Sequence, residues 1–205
     1  MKLSDQTLYN LYLQKHKAKQ NKGEMGKDSE RLKTYKAEWA FQSKLDYTRG
    51  FVTIEDAQKY VDKVTKSKTY TKLWLDAYES RKNKDYGAIL RGTKVSVASK
   101  KRNGSGVAGM AYVNENHIVL DTKTGMNQYT ILHELAHCIG HVHHGRSFRK
   151  DLLSLVARFM GRHEADLLKA EFKKSKLACG NPRKPMSFEQ WVAAKNRMEK
   201  MRETI

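Results

Sequence analysis

The pattern H-E-x-x-H at residues 133–137 constrains this chain more than any other feature of its sequence. On an α-helix, His133 and His137 lie one turn apart on the same face, so both imidazoles can reach one metal ion. Glu134 lies about 100° further round the helix, beside the coordination position that a catalytic zinc ion leaves to water. The pattern therefore predicts a helix that carries two zinc ligands and a catalytic carboxylate.

The residues that flank the motif predict how this helix packs and where it ends. Ile131, Leu135 and Cys138 fall on the face opposite the two histidines, as expected for a half-buried helix that lines a site. Cys138 therefore belongs to the apolar face and is not expected to bind the metal. Gly140 is expected to end the helix, because glycine readily adopts the left-handed conformation that follows a helix C terminus.

Three short runs upstream of the motif predict a small sheet. Residues 95–99, 107–113 and 117–121 have strand-like composition, and a basic glycine turn at residues 100–104 separates the first two. We interpret the three runs as an antiparallel meander. The expected fold is α+β and zincin-like, with a small antiparallel sheet packed against the H-E-x-x-H helix and additional N- and C-terminal helices.

A catalytic zinc ion usually has three protein ligands, and the sequence offers several candidates for the third. His143 follows Gly140 at the spacing of the metzincin pattern, in which the glycine lets the chain turn back to the metal. Metzincins also need a methionine turn below the metal. The nearest methionines, Met160 and Met186, fit that role poorly.

A second pattern begins at His144, where H-G-x-x-F leads into an amphipathic helix. H-E-L-A-H, a short loop and H-G-x-x-F together resemble the small zinc metallohydrolases encoded by actinobacteria and their phages. The likeness to SprT-like proteases and minigluzincins is more distant. The resemblance covers roughly residues 30–175 and includes Y-x-x-E-W at residues 35–39 and T-x-E-D-A-Q at residues 53–58.

This resemblance implies a zinc site with three histidine ligands and one general base. The implied metal ligands are His133, His137 and His144, and the implied catalytic residue is Glu134. The implied cofactor is Zn²⁺. The residues by themselves leave other choices for the third ligand open, namely His141, His143 or a downstream carboxylate such as Glu164 or Glu171, since zinc accepts carboxylate as well as imidazole.

The chain has room for one core of ordinary size and for helical appendages. The expected organisation is a basic N-terminal helix and linker (1–27), a zincin-like metallopeptidase domain (28–178) and a C-terminal helical extension (179–205). Residues 3–19 are expected to be helical, with a polar linker at residues 23–26. Asp28 or Ser29 is expected to cap the next helix, and Thr53 begins a capping box.

Charge and cysteine content restrict the partners and the compartment. Lys and Arg number 40 against 22 Asp and Glu, which gives a net charge of +18 and predicts attraction to polyanions, including nonspecific contact with nucleic acid. No run of about 18 apolar residues is present, and the N terminus turns polar at once, so we expect no membrane partner. Two cysteines make no disulfide framework, which favours the cytoplasm, or the host cytoplasm for a phage protein.

These features favour a zinc-dependent metallopeptidase that acts on a protein or peptide substrate. An extended peptide could pair with an edge strand at residues 117–121 or with its neighbour. Tyr112, Tyr129 and His163 are conceivable donors to the negative charge that develops during hydrolysis. The alternatives are a DNA-associated SprT-like protease and a basic nucleic-acid-binding protein with a non-catalytic metal site.

Overall fold

A mixed sheet and six helices make up the larger part of the chain that the structure describes. The computed structural model describes residues 4–25, 28–78, 92–98, 107–180 and 185–203, and over these ranges the chain is α+β, with eight helices and three strands. The chain divides into two compact units. One is Asp28–Asn181, and the other combines Met1–Lys27 with Pro182–Ile205.

The sheet of the larger unit contains β1 (Lys94–Val97), β2 (Gly109–Tyr112) and β3 (His117–Leu120) in the order β1-β3-β2. β2 runs antiparallel to β3, as predicted, whereas β1 pairs with β3 in parallel. The predicted antiparallel meander is therefore wrong for β1, which lies on the far side of β3 from β2. The predicted basic turn at residues 100–104 lies outside the described residues.

Side-chain hydrogen bonds explain the position of β1. The Gln58 side chain accepts a hydrogen bond from Val95 N at 2.9 Å and donates one to Thr93 O at 2.8 Å. These two bonds occupy backbone groups on the outer edge of β1, where a further strand would otherwise pair. Asn116, which adopts a left-handed conformation (φ 49°) directly before β3, donates from Nδ2 to Gly92 O at 2.9 Å. The start of β1 is thereby tied to the start of β3, and the two strands run parallel.

The helices of the larger unit pack on this sheet and on one another. They are α2 (Arg31–Gln42), α3 (Ile54–Thr65), α4 (Lys68–Tyr78), α5 (Gln128–Cys138), α6 (Arg146–Phe159) and α7 (Arg162–Lys174). α5 carries the H-E-x-x-H motif and contacts β2, β3, α3 and α6. Its residues from Tyr129 to Cys138 are all buried, so the helix is enclosed on every side and not only on the predicted apolar face.

Local signals account for most helix ends. The Thr53 hydroxyl accepts a hydrogen bond from Asp56 N at 3.1 Å, which confirms the predicted cap of α3. Gly140 has a φ of +127° and follows α5, as expected for a glycine that ends a helix. The predicted cap of α2 is wrong. Glu30 occupies the cap position and makes no side-chain cap hydrogen bond, and the Asp28 carboxylate is bonded to His144 instead.

The smaller unit pairs α1 (Asp5–Met25) with α8 (Phe188–Glu203). The ring of Tyr9 contacts Phe188 and Trp191 at centroid distances of 5.3 and 5.9 Å. The linker predicted at residues 23–26 is wrong as far as Met25, since α1 continues to that residue. A single glycine costs a helix only about 1 kcal/mol. None of the helices in the described ranges has the length and apolarity needed to cross a membrane.

Arg149 of α6 is a fully buried arginine that joins α2 to the chain after the motif helix. Its guanidinium donates to Ala178 O at 2.7 and 3.0 Å, to His144 O, and to Thr34 Oγ1 at 3.4 Å, and it pairs with Glu30 at 2.9 Å. A buried arginine with this many acceptors stabilises a fold mainly because its removal leaves buried carbonyl groups without donors.

We expect Arg149→Met to lower the free energy of unfolding by about 3 kcal/mol, because it leaves the buried carbonyl groups of His144 and Ala178 without a hydrogen-bond donor. Urea denaturation in the presence of a chelator measures this without any contribution from bound metal. Arg158→Met, at an exposed position of the same helix, is the control and should change stability by less than about 0.5 kcal/mol. Equal effects of the two substitutions would contradict this role of Arg149.

Candidate metal centre

Three histidine side chains converge between α5 and the loop that follows it. His133 and His137 project from successive turns of α5, and His144 returns to them after the turn at Gly140. The Nε2 atom of His144 lies 3.2 Å from Nε2 of His137 and 3.2 Å from Nε2 of His133. One nitrogen from each residue lies within 4.8 Å of the other two, and all three residues are buried.

Carboxylates orient two of these imidazoles from α2 and from the residues just before it. His133 Nδ1 donates to Glu38 Oε1 at 3.1 Å, and His144 Nδ1 donates to Asp28 Oδ2 at 2.6 Å. Asp28 Oδ2 also accepts a hydrogen bond from the backbone N–H of His144 at 3.1 Å. Because Nδ1 is the donor in each of these bonds, the lone pair of Nε2 faces the cluster when the ring is neutral.

The third imidazole is oriented by the backbone of the returning loop. His137 Nδ1 donates to the carbonyl oxygen of His141 at 2.5 Å. The side chain of His141 is itself fixed, because its Nε2 bonds to Oδ2 of the buried Asp151 at 2.7 Å. All three Nδ1 atoms therefore have an acceptor, which leaves Nε2 of each ring for the cluster.

The spacing of these nitrogens suits a tetrahedral metal site. A zinc ion with Zn–N bonds of 2.0–2.1 Å in tetrahedral geometry separates its nitrogen ligands by about 3.3 Å. The two Nε2 separations of 3.2 Å agree with this value. The cluster of His133, His137 and His144 could therefore hold a metal ion.

Glu134 lies next to the cluster and is held by β2. The backbone N–H of Ala111 donates to its carboxylate, and a Cβ atom at Gly109 would lie only 2.7 Å from Oε1 of Glu134. Only glycine at position 109 therefore lets the strand lie this close to the carboxylate. Burial raises the pKa of Glu134 to about 7, although the charge of His133 opposes the shift.

The three imidazoles differ in their affinity for protons. Burial disfavours a charge on His133, but Glu38 outweighs burial and raises the pKa of His133 to about 9. Burial and the neighbouring His133 hold the pKa of His137 well below its usual value, and they lower the pKa of His144 as well. At neutral pH and without metal, His133 is therefore protonated on both ring nitrogens, whereas His137 and His144 are neutral.

The other candidates for the third ligand do not join the cluster. His143 is half-buried outside it, although it directly precedes His144. Glu171 pairs with Lys44 at 2.6 Å and with Lys174 at 2.8 Å. The carboxylate of Glu164 lies against Gly161.

The three conceivable oxyanion donors also have other surroundings. Tyr112 stacks on His117 with ring centroids 5.8 Å apart, and Tyr129 is buried in the core against Phe41. His163 is exposed on α7. Two aromatic residues contact the histidine cluster. The ring of Phe148 lies 4.5–5.0 Å from all three imidazoles, and that of Tyr35 lies 4.8 Å from His144 and 6.0 Å from His133.

Sequence reasoning missed the acceptors that orient the histidines. Carboxylates commonly accept a hydrogen bond from the second ring nitrogen of a metal-binding histidine, so such partners were to be expected. Glu38, however, precedes its partner His133 by 95 residues, and Asp28 precedes His144 by 116. Two features of the sequence could have indicated these acceptors. One is Glu38, the acidic residue of Y-x-x-E-W, and the other is Asp28, which the sequence offers as a helix cap.

We compared the chain with protein-family models, curated proteins and solved structures, and none of the three comparisons gave a significant match. The resemblance to small zinc metallohydrolases therefore stays a prediction from the motifs. Inferences about function rest on the geometry of the site.

We expect the zinc content of the purified protein to be about one ion per chain and to fall near zero in His144→Ala, because two imidazoles alone hold zinc weakly. His143→Ala is the matched control and should keep its zinc, since His143 lies outside the cluster. Elemental analysis after dialysis against buffered zinc gives both values. Loss of zinc in His143→Ala with retention in His144→Ala would contradict the cluster.

We expect zinc binding near pH 7 to release at least one proton per chain. His133, with a pKa of about 9, must lose a proton to bind a cation, and the partly protonated Glu134 adds to the count. Affinity should rise with pH through this range and level off above the pKa. Calorimetry in buffers of different ionisation enthalpy counts the protons. Glu38→Gln removes the charge that raises the pKa, so equal proton release in this variant would contradict the assignment.

Proposed function

We propose that this protein is a zinc-dependent metallopeptidase in which His133, His137 and His144 hold the metal and Glu134 is the general base. The observation that carries the proposal is the convergence of three oriented Nε2 atoms beside a buried carboxylate. Three neutral imidazoles form a ligand set of catalytic zinc sites, whereas structural zinc sites typically have four ligands that include cysteine. The motif cysteine, Cys138, is instead buried in the core.

Each group has a defined part in the hydrolysis of a peptide bond. When bound, zinc supplies a Lewis acid that polarises the carbonyl and lowers the pKa of water to about 7. Glu134 accepts a proton from water as the water oxygen bonds to the carbonyl carbon. It then delivers that proton to the amide nitrogen as the C–N bond breaks. A carboxylate whose pKa is raised to about 7 is suited to both transfers near neutral pH.

The predicted edge at residues 117–121 is wrong, because β3 is the central strand. Its neighbour β2, an edge strand over the described residues, is suited to hold an extended substrate next to Glu134. Ala108 O accepts a hydrogen bond from Asp121 N at 2.8 Å, and β2 pairs with β3 in antiparallel register from Gly109 onward. In such a ladder the backbone groups of Gly109 and Ala111 point away from β3, and Ala111 N–H does reach Glu134. Because Ala111 N–H is already bound to Glu134, a peptide that adds to this edge would pair with its other outward groups, those of Gly109 and the carbonyl of Ala111, and would run beside the general base.

We expect Glu134→Gln to retain zinc and to lower kcat by at least about 100-fold, because the amide binds no proton but leaves the histidines in place. Cleavage of a quenched fluorescent peptide library measures turnover, and elemental analysis measures zinc. Glu115→Gln, at an exposed site in the turn between β2 and β3, is the matched control and should be fully active. Full activity of zinc-loaded Glu134→Gln would refute the general-base role.

A further inference from the structure

Tyr35 brings a phenol ring against two of the three clustered histidines. It belongs to α2, one turn before Glu38, and its ring meets the His144 ring edge-on at 4.8 Å and the His133 ring at 6.0 Å. Trp39 stacks on Tyr35 with ring centroids 6.4 Å apart. The same helix thus orients His133 through a carboxylate and places a tyrosine beside the site.

The hydroxyl group of Tyr35 is available to a ligand. The side chain is half-buried, and over the ranges that the structure describes no hydrogen bond or ion pair engages its hydroxyl. After burial, the strongest influence on its pKa is the charge of Glu134, ahead of that of Glu38 on its own helix. Glu134 is therefore among the charged groups near the phenol, and the hydroxyl, protonated at neutral pH as in any tyrosine, can donate a hydrogen bond.

We propose that Tyr35 is a catalytic residue whose hydroxyl donates a hydrogen bond to the oxyanion of the tetrahedral intermediate. This inference rests on the proposed peptidase function and adds a residue to it. When water adds to the carbonyl carbon, the C=O electron pair moves to oxygen, and a fixed donor there stabilises the charge. No proton leaves Tyr35, and its hydrogen bond is released when the C–N bond breaks and the carbonyl re-forms.

A donor of this kind affects the transition state more than the bound substrate. Removal of one oxyanion donor typically costs about 100- to 1000-fold in kcat, because the donor acts on charge that is absent from the ground state. Its loss should leave KM nearly unchanged. A residue with a merely structural role would instead alter zinc content or stability.

We expect Tyr35→Phe to lower kcat about 100-fold on the best peptide of the library, with KM changed by less than about threefold and zinc content unchanged. Phenylalanine keeps the ring contacts with His144 and Trp39 and removes only the hydroxyl. Tyr47→Phe, at a residue that is 77 % exposed, is the control and should have wild-type kinetics. Wild-type turnover in Tyr35→Phe would overturn the proposal.

Inhibitor binding gives a readout that does not depend on turnover. A phosphinic dipeptide mimics the tetrahedral oxyanion, whereas a mercaptoacetyl dipeptide binds zinc without one. We expect Tyr35→Phe to weaken binding of the phosphinic compound at least about tenfold in calorimetry and to leave the thiol compound unchanged, since one charge-assisted hydrogen bond is lost. Equal weakening of both compounds would show a general defect of the site and would overturn the proposal.

Two further outcomes separate this inference from the proposed function. If the wild-type protein cleaves no peptide, the peptidase proposal fails, but the two inhibitors still decide whether Tyr35 donates to a tetrahedral oxyanion. If Tyr35→Phe loses zinc and changes the visible spectrum of the cobalt-substituted protein, Tyr35 is a metal ligand and the donor role is wrong. An unchanged cobalt spectrum supports it.

Discussion

The hydrogen bonds made by the three Nδ1 atoms are the interaction on which the site depends. H-E-x-x-H places two imidazoles on one helical face, but each ring can still rotate about its side-chain bonds. Glu38, Asp28 and the carbonyl of His141 remove that freedom and select the tautomer whose Nε2 lone pair faces the cluster. The geometry of the metal site is thus set by residues outside the motif.

This dependence couples the site to the packing of α2. Asp28 and Glu38 lie just before and within that helix, and Arg149 fixes its N-terminal end through Glu30 and Thr34. Arg149 also binds the carbonyl of His144, so one buried guanidinium holds both the helix and the returning loop. A shift of α2 would therefore move two imidazoles and Tyr35 together, which makes the helix a structural part of the site.

The sequence predicts those features of the site that depend on local spacing. The motif helix, the stop at Gly140 and the convergence of His133 with His137 follow from helical geometry over a few residues. The acceptors could not be predicted in this way, because 95 and 116 residues separate them from their partners. The parallel pairing of β1 with β3 could not be predicted for the same reason, because side chains outside β1, those of Gln58 and Asn116, fix its position.

The charges around the cluster explain why a cation suits it. Asp28, Glu38 and Glu134 place three acidic groups beside three imidazoles, within a chain whose net charge is +18. Burial makes unbalanced charge costly, and the raised pKa values of His133 and Glu134 both add protons that reduce the local negative charge. A divalent cation supplies the same compensation to neutral imidazoles, so metal binding can replace the proton that His133 otherwise keeps.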